Sequence, residues 1–80
     1  MNTFNVWIDY TGPRFENRHA IERAVGSECH GGGGCLGSEQ ADCSWHGISE
    51  SEANRIAETA KKMPFVLSVE VYEFRRSLNR

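Results

Sequence analysis

Lysine and arginine are absent from residues 24–54. That stretch holds Glu28, Glu39, Asp42, Glu50 and Glu52, a net of −5, while the rest of the chain carries nine basic against six acidic residues. The modest overall charge of −2 therefore hides a polarised chain. A phosphate-binding face needs clustered cations to displace counterions, so the gap argues against sequence-general nucleic-acid binding. Also missing is any apolar run near the roughly 18 residues of a membrane span. The first residues lack the basic-then-apolar order of a signal peptide. The expected setting is the cytoplasm, with no membrane partner. Cysteine is sparse, with three in the chain. In a reducing compartment these are free thiols, metal ligands or an intermolecular contact rather than an internal disulfide framework.

Eighty residues leave room for one hydrophobic core and not for two. A deep catalytic cleft would consume core that so small a domain needs, so the expectation is a non-enzymatic module. One domain is expected over residues 1–74, followed by a polar tail, 75–80. The apolar fraction of 39% and charged fraction of 25% are those of a folding chain, not of a disordered one.

Residues 3–10 alternate, with Phe4, Val6, Ile8 and Tyr10 in one phase and Asn5, Trp7 and Asp9 in the other, which predicts a strand with one buried face. Gly12 and Pro13 break it. A helix is expected over residues 15–25, with Ile21, Ala24 and Val25 on its buried side and Gly26 as terminator. A second helix is better marked. Ser49 and Glu52 have capping-box spacing, and Ala53, Ile56, Ala57 and Ala60 recur at i, i+3, i+4, i+7 until Pro64. From Phe65 the period returns to two, placing Leu67, Val69 and Val71 on one face and Ser68, Glu70 and Tyr72 on the other.

Between the helices, residues 41–48 read as a strand that needs a partner near residues 29–36, where Gly31, Gly32, Gly33 and Gly34 predict a weak, bulged or looped segment. The order strand, helix, strand, strand, helix, strand is that of an α+β, ferredoxin-like βαββαβ fold, one four-stranded antiparallel sheet with two helices on one face. Such a sheet leaves its other face without a helical cover. Trp7, Asp9, Glu70 and Tyr72 share that phase, which fits either a protein-contact surface or homodimer interface, or a Trp7 simply shielded by neighbouring long side chains.

The densest set of potential metal ligands is Cys29, His30, Cys35, Cys43 and His46. Cys29, Cys35, Cys43 and His46 would supply the four positions of a tetrahedral zinc site, although no C-x2-C knuckle is present. On a strand Cys43 and His46 have opposite parity and could share an ion only at a bulge or strand end. Without a structural metal, these are free thiols and locally bonded imidazoles, and the expectation is that no cofactor is bound. A Cys–His nucleophile has no neighbouring cation in sequence to lower a thiol pKa. The glycine run lacks the G-K-[ST] ending of a phosphate loop, the aromatic signature of RNA-recognition motifs is missing, and Arg14 alone is a poor match to the anion loop of acylphosphatases.

Residues 4–10, 18–25, the glycine-rich 31–37 and the closing Ser68-Val69-Glu70-Val71-Tyr72-Glu73-Phe74 together resemble the small ferredoxin-like proteins of phages and prophages, a group that includes some anti-CRISPR proteins. The resemblance implies a compact inhibitor that binds a larger protein or nucleoprotein complex, such as a CRISPR effector. On this expectation the partner-binding residues are Glu28, Glu39, Asp42, Glu50 and Glu52, with Trp7 and Tyr72, and the acidic side chains occupy a basic nucleic-acid path. The alternatives are a zinc module built on the Cys/His set and a small-ligand regulatory domain.

Overall fold

The computed structural model describes residues 2–34 and 39–74. Six elements follow in the expected order: β1 (Thr3–Thr11), α1 (Arg14–Val25), β2 (Gly31–Gly34), β3 (Gln40–Ile48), α2 (Glu50–Lys61) and β4 (Val66–Phe74). The strands form one antiparallel sheet in the order β2-β3-β1-β4, the ferredoxin-like arrangement. The tail at 75–80 and Cys35 lie outside the described residues.

Alternation decides which face of the sheet is covered. Val6, Ile8 and Tyr10 of β1 lie beside Trp45, Cys43 and Ala41 of β3, and all six are buried in one cluster with Ile21 and Val25 of α1 and Ala53, Ile56 and Ala60 of α2. Both helices therefore pack on this face. Trp45 is the largest fully buried side chain, and its indole N–H donates to Ser27 Oγ at 3.2 Å, so burial leaves its polar atom satisfied.

The second helix forms as its sequence predicts. Ser49 Oγ accepts from the Glu52 amide at 3.2 Å, and the buried residues are Ala53, Ile56, Ala57 and Ala60. The capping box closes on one side only, because the Glu52 carboxylate turns to Arg55. Arg55 also reaches Val25 O at the end of α1, which ties the two helices together.

Two expectations are corrected. In α1 the buried positions are Ile21, Glu22 and Val25, and Ala24 is exposed. The interface of α1 is thus rotated toward the side carrying Arg18 and Glu22, where polar contacts compensate for burial. In β4 the register steps by one between Asp9↔Ser68 and Tyr10↔Val66. Val66 takes the covered position expected for Leu67, which is bulged out and 55% exposed. The glycine run is the strand partner expected near residues 29–36: it forms β2, paired with β3 from Gly31↔Ser44 to Gly34↔Ala41. Glycine is required at position 32, since a Cβ there would lie 2.8 Å from the Asp42 carbonyl oxygen.

A second bulge lies in β3, where the register shifts between Phe4↔Ile48 and Val6↔Trp45. Gly47 supplies the left-handed backbone it needs (φ 69°), and its N–H donates to Asn5 Oδ1 at 3.0 Å. The bulge returns Ile48 to the covered face.

Candidate functional site

The face opposite the helices is built by the remaining phase of the same strands. Asn5, Trp7 and Asp9 of β1 run beside Tyr72, Glu70 and Ser68 of β4 on one side, and Trp7 and Asp9 run beside Ser44 and Asp42 of β3 on the other. The four strands contain Asp9, Asp42, Glu70 and Glu73 and no lysine or arginine. Glu73 pairs with Phe4 and so has the covered phase, which leaves Asp9, Asp42 and Glu70 on the open face. The described cations lie elsewhere: Arg14, Arg18, Arg23, Arg55 and Lys61 are helical, and Lys62 caps α2. The strands therefore carry carboxylates alone, while the helices carry both signs.

Two aromatic rings rise from this acidic face, Trp7 at 40% and Tyr72 at 51% exposure. Each has its polar tip tied to a carboxylate. Trp7 Nε1–H donates to Asp9 Oδ1 at 3.2 Å, and the Tyr72 hydroxyl donates to Glu70 Oε1, which raises the phenol pKa above its ordinary value. Ser68 Oγ–H donates to the other Asp9 oxygen at 2.9 Å. Asp9 and Asp42 are direct cross-strand partners, an arrangement in which like charges oppose pairing. Ser44, beside Trp7, is only 3% exposed.

At the β2 end of the face stand His30 and His46, with ring centroids 6.0 Å apart in an edge-to-face arrangement. The His46 amide donates to His30 Nδ1 at 2.9 Å. His46 shares the side of Ser44, because a Cβ at Gly31 would meet both Ser44 Oγ and His46 Cε1. Cys43 points the other way, into the core. The bulge falls one residue after His46 and does not bring the two onto one face. Among the described residues no group of three or more His, Cys, Asp and Glu side chains is placed to hold a metal ion. Cys29 and Cys43 are free thiols. Burial, and then Cys29, push the Cys43 thiol up to about 12, and burial followed by hydrogen bonding to Glu22 raises that of Cys29. Both shifts oppose the thiolate that a nucleophile needs.

The acidic stretch does not form one patch. Asp42 lies on the open face, but Glu28 is in the connection after α1, beside a shallow depression lined by His19, Glu22 and Arg23. Glu39 stands at the β2–β3 end, where its carbonyl accepts from the Gly12 amide at 3.2 Å. Glu50 and Glu52 occupy the first turn of α2, favourable for carboxylates at a helix N-terminus, and Arg55 holds the Glu52 carboxyl below its ordinary pKa. The nine residues of β3 separate Glu39 from Glu50 by roughly 30 Å. What the structure does bring together is Trp7, Tyr72 and Asp42 with Asp9 and Glu70, which the strand phase also assigned to this face.

Comparison with protein-family models, with curated proteins and with solved structures finds no match to the chain.

One carboxylate escaped the sequence reading. Glu22 is buried, and burial alone would raise its pKa. The Cys29 amide at 2.9 Å, the Cys29 thiol, His19 Nδ1 at 3.1 Å and Arg18 Nε at 3.6 Å outweigh that and hold it below its ordinary value. It fastens the connection after α1 to the helix. The available signal was the Arg18–Glu22 i,i+4 spacing on the same helical side as Ile21 and Val25.

Proposed function

We propose that this chain is a non-catalytic binding module that docks through the open face of its sheet onto a basic protein surface. One observation carries the reading. The face holds three carboxylates, two of them directly cross-strand, and no cation from any strand. Proteins tolerate a like-charge cross-strand pair at a cost in stability, and such local conflicts concentrate at functional surfaces. Exposed aromatic rings among the carboxylates supply contact area with little entropy to lose on binding. Two copies meeting through this face would bring like charges together, so charge complementarity favours a basic partner over a homodimer.

A basic surface is what a larger nucleoprotein machine presents where it holds nucleic acid. The chain then acts as an inhibitor by occupying that path, the mode implied by its resemblance to small phage proteins that include anti-CRISPRs. No described helix is long and apolar enough to cross a membrane, and the two described cysteines are free thiols, both consistent with action in a reducing cytoplasm.

The test is charge reversal in two sets. Partners captured from the native host by the immobilised chain should be lost from an Asp42→Lys/Glu70→Lys variant and kept by Glu28→Lys/Glu50→Lys. Retention by the first variant, or equal loss from both, would overturn the docking face.

A further inference from the structure

Resting on the docking reading above, we infer that the open face recognises arginine in particular, with one guanidinium stacked on Trp7 and bonded to the Asp9 and Glu70 carboxylates. The indole N–H is already engaged by Asp9, and the Tyr72 hydroxyl by Glu70. What these two side chains offer a partner is therefore ring surface, since their polar atoms are used within the chain. Glu70 is the direct cross-strand neighbour of Trp7, and Asp9 is two residues along the same strand. The ring is thus flanked by carboxylates on two sides, at cross-strand and i+2 spacing.

That combination selects among cations. A guanidinium is planar, stacks on an aromatic face and keeps its N–H groups directed outward in its own plane, where carboxylates can accept them. An ammonium is a hydrated point charge that gains from the carboxylates but little from stacking. Hydrogen bonds to Asp9 and Glu70 also fix the orientation of both rings before a partner arrives, which lowers the entropy lost on binding. No lysine or arginine of the four strands competes for the site.

The experiment titrates the chain with hexa-arginine and hexa-lysine peptides of equal charge, following the two indole N–H resonances by NMR. Trp7 is exposed and Trp45 is buried and bonded to Ser27, so the two report different places. The expected result is roughly threefold to tenfold tighter binding of the arginine peptide, with the Trp7 resonance moving and that of Trp45 still. Trp7→Ala should remove the preference while leaving binding at the lysine level, and Trp7→Phe should keep part of it. Equal affinity for both peptides, or a preference that survives Trp7→Ala, overturns the arginine inference but leaves the docking face standing. Absence of any shift at Trp7 with either peptide overturns both.

Discussion

The two faces of the sheet are made by the same strands, one residue out of phase, and they treat polar groups in opposite ways. On the covered face the indole N–H of Trp45 finds Ser27, the Tyr10 hydroxyl donates to Arg14 O at 3.0 Å, and the one buried carboxylate of α1, Glu22, is surrounded by donors and by Arg18. On the open face three carboxylates stand without any cation from the strands, and two of them oppose each other. Burial makes an unsatisfied charge costly, and the polar groups of Trp45, Tyr10 and Glu22 are each met by a partner on the covered side. Solvent removes that pressure. The open face can therefore hold an uncompensated charge pattern, and such a pattern is available to a partner.

The sharpest way to break this contrast is to truncate a tryptophan on each side. Trp45→Ala should lose about 3–5 kcal/mol of stability, a large fraction of what a small domain has, whereas Trp7→Ala should change stability little and act on binding. Urea unfolding of the two variants checks both. If Trp7→Ala destabilises as much as Trp45→Ala, the open face is structural.

Glu22→Gln tests the compensated carboxylate. The folded chain holds the Glu22 pKa below its ordinary 4.5, so its contribution to stability is present above the unfolded value and is lost as pH falls through the folded one. The variant should lose about 1–3 kcal/mol at pH 7 and show a flatter loss of stability on acidification below pH 4.5. Thermal melts from pH 3 to 7 read the difference, and parallel curves for wild type and variant would remove Glu22 from the account.

At the glycine edge the two phases diverge again. A Cβ at Gly32, on the covered side, would strike the Asp42 carbonyl oxygen at 2.8 Å, while one at Gly33 meets nothing within 4 Å. Gly32→Ala should destabilise by about 1–3 kcal/mol, and Gly33→Ala should stabilise by roughly 0.4–1 kcal/mol. The smallest effect is expected at Asp42→Asn. Relieving the Asp9–Asp42 opposition should raise stability by about 0.2–1 kcal/mol while weakening partner binding. A variant both less stable and equally able to bind would contradict the picture of the open face.

Much of this was legible in local sequence. The Ser49 cap and the alanine stripe of α2 are i, i+3, i+4 features of one segment, and they appear in the structure residue for residue. The open-face set of Trp7, Asp9, Glu70 and Tyr72 follows from strand phase alone. The acidic candidates fared differently because charge was summed along a contiguous stretch, whereas a strand hands alternate residues to opposite faces and the flanking turns carry the rest to other sides of the molecule. The informative count was the absence of lysine and arginine from the four strand segments taken together.

The sequence by itself determined the elements, their order and the two phases of β1 and of β4 from Ser68 onward, because periodicity, caps and breakers act over a few residues. Tertiary structure decided the rest. Pairing across strands placed the bulges that turn Leu67 outward and return Ile48 to the core, since register is set by packing against a neighbour distant in the chain. Packing of α1 chose Glu22 over Ala24 for burial, because Cys29 and Arg18 supply the partners a buried carboxylate needs. Sheet closure alone brought Asp9 opposite Asp42, residues 33 positions apart, and so created the charged face on which the function is proposed.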